Sequence, residues 1–202
     1  NHSQCLVNGA DFYMDPVWHP GGEKIAWIEW DHPFMPWDAS CLKMGEVSNH
    51  NLRNENQVAG GFPNPASQPL FSPDGKWLSF IQREENWDQL VLYDLEEQTS
   101  KTILMGDGYQ LKMPEWIQGM RSYAWHPDGR MIFYFRYQGE KTELWKIDIT
   151  NSETTKVDIN PFTWATQLCV SDTGEYLAFL GSSLENPEQI CTMDLENDQQ
   201  FV

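Results

Sequence analysis

Trp18-His19-Pro20-Gly21-Gly22-Glu23-Lys24-Ile25-Ala26-Trp27 returns three times in altered form. The copies are Phe71-Ser72-Pro73-Asp74-Gly75-Lys76-Trp77-Leu78-Ser79-Phe80, Trp125-His126-Pro127-Asp128-Gly129-Arg130-Met131-Ile132-Phe133-Tyr134 and Val170-Ser171-Asp172-Thr173-Gly174-Glu175-Tyr176-Leu177-Ala178-Phe179. Their shared glycines, Gly22, Gly75, Gly129 and Gly174, lie 53, 54 and 45 residues apart. Pro followed by Asp-Gly presets one turn dihedral and then supplies a residue free to take positive φ, so each copy reads as a tight connection between two strands. Apolar residues three and five positions after each glycine (Ile25/Trp27, Leu78/Phe80, Ile132/Tyr134, Leu177/Phe179) show strand alternation.

Outward from each hairpin, a third strand opens at Leu42, Leu90, Leu144 and Ile190 and ends in Glu46-Val47, Asp94-Leu95, Asp148-Ile149 and Asp194-Leu195. An acid in that place accepts backbone N–H groups of the following turn. A fourth strand is marked by Gln57-Val58, Lys101 to Leu104, Thr155 to Val157 and Phe201-Val202. Four-stranded units at a period of about 40–50 residues are the mark of a β-propeller, and no helical periodicity runs long enough for a solenoid. The expected fold is all-β: four blades of four antiparallel strands at approximately 10–60, 61–106, 118–159 and 163–202, with residues 1–9 as the outer strand of a preceding blade. A lone blade cannot bury both faces of its sheet, so neighbours must stack on it.

The 202 residues hold 13 Lys+Arg against 30 Asp+Glu, a formal charge of −17. That field repels phosphate and excludes nucleic acid and anionic membrane surfaces as partners. Hydrophobic residues at 40%, with ten Trp, supply a core that a disordered acidic chain would lack. No apolar run approaches the roughly 18 residues that span a bilayer. The start lacks both Met and a leader-like region, so the chain reads as a piece of something longer. Cys5, Cys41, Cys169 and Cys191 show no metal or redox spacing. They are expected to be free, mostly buried thiols of a cytoplasmic protein, with neither metal nor cofactor.

The repeat separates architecture from function, because what recurs at one register is scaffold and what occurs once is a candidate site. His19 and His126 occupy the turn position held elsewhere by Ser72 and Ser171, so they read as turn residues. His2 and His50 read as surface. Glu84-Glu85-Asn86-Trp87-Asp88 reads as a hydrated hairpin tip, and Lys112 to Gly119 as a loop without chemical signature. Trp30-Asp31-His32-Pro33-Phe34-Met35-Pro36-Trp37-Asp38 has no counterpart in the other units. Two Pro stiffen it, and its aromatics and acids suit contact with a ligand or partner. Asp31, His32, Phe34, Met35, Trp37 and Asp38 are the candidate contact residues. The competing reading folds the loop onto its own blade, with Trp30 and Trp37 in the core and Asp31 or Asp38 capping a turn. No G-x-S-x-G elbow, HExxH helix, P-loop or Cys/His pairing is present, so no catalytic residue is assigned.

The Ser72-Pro73-Asp74-Gly75 turn and its variants resemble the blades of TolB-type propellers and of the prolyl oligopeptidase family. Pro16 to Ile28 leading into Trp30–Asp38 closely resembles the W-D-H-P-N-M-P-W-D segment in propellers of acylaminoacyl-peptidase-like members of that family. Phe34 stands where the family commonly has Asn. Val58-Ala59-Gly60-Gly61, Gln68-Pro69 and Trp125 to Phe133 extend the similarity across the chain. The resemblance implies a parent serine hydrolase whose seven- or eight-bladed propeller limits access to short peptides. No triad residue carries over, because the hydrolase domain is missing here. The implied partners are that domain or a second copy meeting open blade faces. Alternatives are a stand-alone TolB-like interaction propeller and, more remotely, a propeller lectin or lactonase.

Overall fold

The computed structural model describes residues 3–195 and, for the backbone, 199–201. His2 and Val202 lie outside the described residues. Among the described residues sixteen strands form four antiparallel sheets, each in chain order. The first holds β1 (Phe12–Trp18), β2 (Lys24–Trp30), β3 (Cys41–Ser48) and β4 (Asn51–Gly60), with the one-turn helix α1 (Pro36–Ala39) between β2 and β3. The second holds β5 (Ala66–Phe71), β6 (Trp77–Glu84), β7 (Trp87–Asp94) and β8 (Ser100–Met105). The third holds β9 (Tyr123–Trp125), β10 (Met131–Gln138), β11 (Lys141–Asp148) and β12 (Thr154–Val157). The fourth holds β13 (Trp164–Val170), β14 (Tyr176–Ser182), β15 (Gln189–Asp194) and β16 (Gln199–Phe201).

The repeated turns close identically. The N–H groups of Gly22, Gly75, Gly129 and Gly174 donate to the carbonyls of His19, Ser72, His126 and Ser171 at 2.8, 2.9, 3.0 and 2.9 Å. All four glycines hold φ between 70° and 79°, a conformation open to Gly at little cost. The apolar residue behind each strand-ending acid is also explained. Val47, Leu95, Ile149 and Leu195 donate their N–H to the carbonyl of the residue just after the turn glycine, at 2.8–3.0 Å. Asp94 Oδ1 accepts the N–H groups of Glu96 and Glu97, and Asp148 Oδ1 accepts the N–H and the hydroxyl of Thr150, as the recurrence of the acid predicts. Glu46 differs, accepting the Asn54 side-chain amide instead.

The chain packs as two compact units, Asn1–Thr102 with Glu115–Gly119, and Ile103–Pro114 with Met120–Val202. In the first, Met14, Ala26, Ile28 and Leu42 meet Ala66, Phe71, Leu78, Phe80 and Val91 across the two sheets. In the second, Phe133, Phe135, Leu144 and Val157 meet Leu168, Leu177, Phe179, Cys191 and Met193. Each Leu, Ile, Val, Phe or Met among them contributes about 1.5–3 kcal/mol on full burial. Strands β6 and β10 are buried on both faces. Strand β14 is buried on alternate residues only, which leaves Tyr176 and Ile190 exposed on the other face of the fourth sheet.

Strands β1, β5 and β13 each break register at one residue of positive φ: Asp15, Gln68 and Gln167. Pro16 and Pro69 follow the first two, where a bulge needs no ladder donor. Two expectations are corrected. The 84–88 tip is not simply hydrated: Asp88 is fully buried and pairs with Arg83 at 3.1 Å, because the two stand opposite each other in the β6–β7 register. The four thiols are free but not mostly buried, since Cys191 alone is buried and Cys5 and Cys169 are exposed. Among the described residues no helix is long and apolar enough to cross a membrane.

Candidate functional site

The unrepeated segment after β2 is tied down at both ends. At its entrance, Trp30 stacks on Phe12 with ring centroids 5.2 Å apart and planes within 14°. Asp31 Oδ1 accepts the Asp11 N–H at 2.9 Å while Asp11 Oδ2 accepts the His32 N–H at 3.0 Å, a reciprocal clamp. Phe34 N–H then donates to Asp31 O, closing a turn over Pro33. Pro36 opens α1, where its missing N–H costs nothing. Asp38 Oδ2 accepts the Met35 N–H at 3.1 Å, and the Asp38 N–H returns to Met35 O.

At its exit, fully buried Ser40 carries four bonds, one of them from its own N–H to Pro36 O at 3.4 Å. Its carbonyl accepts from Gly61 and Ala66, and its hydroxyl donates to Ala66 O at 2.7 Å. Gly60 makes this approach possible: φ is +87°, and a Cβ there would lie 2.3 Å from Ser40 O. The Val58–Gly61 motif is thereby the floor under the loop.

The six candidates divide by what they touch. Asp31 and Asp38 are both exposed; the Asp38 carboxylate caps the loop's own turn at the Met35 N–H, whereas the Asp31 carboxylate ties the loop to the Asp11 N–H ahead of β1. His32 is exposed. Phe34 and Met35 are exposed, and Phe34 lies against Phe62 at 5.6 Å between centroids. Trp37 is half-buried against Trp116 at 4.5 Å. Trp30 packs on the core, as the structural reading expects, whereas Trp37 packs on Trp116 instead.

Two members of this site escape a reading of the sequence. Phe62 follows Gly60-Gly61, and Trp116 lies in the stretch that showed no chemical signature. The common signal is that neither aromatic belongs to the repeat. Trp116 is held in place because its neighbours bond to β1. Gln118 accepts the Asp15 N–H at 3.1 Å and donates to Tyr13 O at 2.8 Å, and Gly119 N–H donates to Asp15 Oδ1.

Elsewhere the histidines are structural. His19 and His126 sit in their turns and reach the carbonyls of Gly75 and Gly174 at 3.0 and 3.2 Å. His50 is exposed in the β3–β4 turn. In the second unit a cleft of about 540 Å³ is lined by Lys141, Thr163, Trp164, Ser182 and Asn186 among others, with no His or Cys in its wall. Among the described residues no group of three or more His, Cys, Asp or Glu is placed to hold a metal ion.

The fold of four such sheets is that of propeller blades. A puromycin-hydrolysing peptidase from Mycobacterium tuberculosis superposes with a TM-score of 0.88 at 24% identity, covering 98% of this chain and 30% of that one. TolB from Acinetobacter baumannii superposes with a TM-score of 0.67 at 16% identity, covering 89% of this chain and 41% of that one. By sequence, dipeptidyl-peptidase 5 from Porphyromonas gingivalis is 23% identical over 135 residues, 67% of this chain and 19% of the relative. No protein-family model matches the chain. The chain is thus an all-β propeller segment similar to regions of peptidases and of TolB, as the turn and loop motifs lead one to expect. It spans about a fifth of the curated relative and under a third of the peptidase.

Proposed function

We propose that the chain is a non-catalytic propeller segment of a prolyl-oligopeptidase-type serine peptidase, and that it limits the access of short peptides to a hydrolase domain outside this chain. One observation carries the reading: nearly all of the chain superposes on under a third of a puromycin-hydrolysing peptidase. The rest of that relative is where a nucleophile would lie, and the repeat register here leaves none. The 31–38 loop is the contact element, with Phe34, Met35 and Trp37 facing a substrate or partner while Asp31 and Asp38 hold the loop's shape. The open face of the fourth sheet meets a further blade, the hydrolase domain or a second copy. Four free thiols fit a reducing cytoplasm.

The coding region that follows Val202 tests this. About 250 further residues with a G-x-S-x-G elbow, a domain-sized length, are expected; a stop codon there overturns the reading. In the full polypeptide, hydrolysis should fall steeply as peptide length grows.

A further inference from the structure

Apolar exposure in the first unit is concentrated at one end of its sheets. The end that carries the 31–40 loop and the 61–65 link exposes Phe34, Met35, Phe62 (72%), Trp116 (70%) and Ile117 (63%). The opposite end, with the turns at 19–22 and 72–75, exposes only Trp18 among its large apolar side chains described. Two ring pairs, Phe34–Phe62 and Trp37–Trp116, share one short loop, since Phe34 and Trp37 are three residues apart. Water-facing aromatic area of this kind marks an interaction site in a soluble protein.

The surroundings state the charge of the occupant. The loop at 31–40 and residues 10–12, to which it is clamped, contain no Lys or Arg, against Asp11, Asp31 and Asp38. The segments 61–66 and 115–119 add no cation. Asp31 and Asp38 remain exposed on this loop although each accepts a backbone N–H, from Asp11 and Met35 respectively. Ring faces and carboxylates both attract cations, and rings take up apolar side chains. The clamps at 11/31, 35/38 and 40/61/66 present this surface already ordered, so little entropy is lost on binding.

We propose that Phe34, Trp37, Phe62 and Trp116 form a binding surface for short peptides carrying a positive charge beside an apolar side chain. The choice of a peptide rests on the peptidase reading; the charge and the apolar contact rest on the geometry.

Tryptophan emission of this chain, titrated with Phe-Lys amide and with its neutral counterpart acetyl-Phe-Ala amide, tests the proposal. Saturable binding of the first, at least fivefold weaker binding of the second, and a further loss on raising salt are expected. Phe62→Ala and Trp116→Ala should each weaken binding at least fivefold with the thermal midpoint unchanged. If either variant melts early, shifts of the Trp37 and Trp116 indole N–H signals in the unsubstituted chain decide instead. No saturation, equal binding of the neutral peptide, unaltered binding by both variants, or unmoved indole signals overturn it. Peptide binding without a hydrolase domain downstream would sink the gating role alone, and a downstream hydrolase without peptide binding would sink this inference alone.

Discussion

His19 Nε2 lies 3.0 Å from the carbonyl oxygen of Gly75, so the turn of the first sheet is bonded to the turn glycine of the second. A carbonyl only accepts, so Nε2 carries the proton. The second unit repeats the device with His126 and Gly174 at 3.2 Å. In both cases the glycine has positive φ, and a Cβ on it would fall 2.5 or 2.6 Å from the ring nitrogen. Histidine in this turn is therefore a link between sheets, and glycine is the residue that leaves room for it.

Gly75→Ala should lower stability by about 1–2 kcal/mol from left-handed strain, and further by displacing the ring. His19→Ala, which deletes this bond together with the ring's contacts to the Gly21 N–H, Glu23 and Phe71, should cost at least about 1 kcal/mol. Urea midpoints of the two single variants and the double variant measure this. The double variant should lose less than the sum, because both changes break the same contact.

Gly60→Ala should be more severe, at roughly 2–4 kcal/mol, since strain adds to overpacking against backbone rather than a flexible side chain. The loop floor at Ser40 shifts with it. A changed emission spectrum from the Trp37–Trp116 pair in the folded variant is the expected sign.

Gln118→Ala removes two hydrogen bonds to the β1 bulge and should cost about 1–2 kcal/mol. Hydrogen exchange at the Asp15 amide should accelerate while amides in β6 stay protected. Equal acceleration in both strands would show that the segment 115–119 is not a local clasp.

Acid should destabilise the fold through the turn carboxylates. The Arg130 guanidinium, then the Thr150 hydroxyl and N–H, hold Asp148 well below the usual carboxylate range. Partial burial raises Asp74 and Asp128, but bonds from Ser72 and Lys76, and from Arg130 and His126, outweigh it and bring both down. Groups depressed in the folded state contribute stability above the unfolded value near 4, and that contribution fades as pH falls toward their folded values. The thermal midpoint should be flat from pH 7 to about 5 and drop below about 4. Asp148→Asn should lower the neutral plateau and flatten the acid limb.

At the alkaline end, burial pushes the Tyr137 and Tyr134 hydroxyls up, the latter against a lowering bond from Arg136. These groups keep their protons longer folded than unfolded, so stability should decline as pH rises past about 10. Phenolate absorbance should develop in two stages, the second coinciding with unfolding.

Much of this was legible in one dimension because it is local and periodic. A Pro-Asp-Gly turn needs only adjacent residues, and the alternation of Leu78 with Phe80 or Leu177 with Phe179 reports which face is buried. The acid that ends β7 and β11 was readable for the same reason. What a single blade cannot reveal is which lone residues meet. Asp88 looked like surface until the β6–β7 register set Arg83 across from it. Trp116 looked featureless until Gln118 and Gly119 brought its backbone to Asp15.

The amino-acid order alone therefore determined four hairpin-based sheets and singled out 30–38 as the segment outside the repeat, since both follow from neighbours along the chain. Only the tertiary structure decided that Asp31 and Asp38 shape that loop, that Phe62 and Trp116 complete its aromatic surface, and that His19 and His126 join sheets. Apart from the Asp38–Met35 pair, those contacts join residues 20 to 79 positions apart, and their energy depends on distances that no spacing in the sequence encodes.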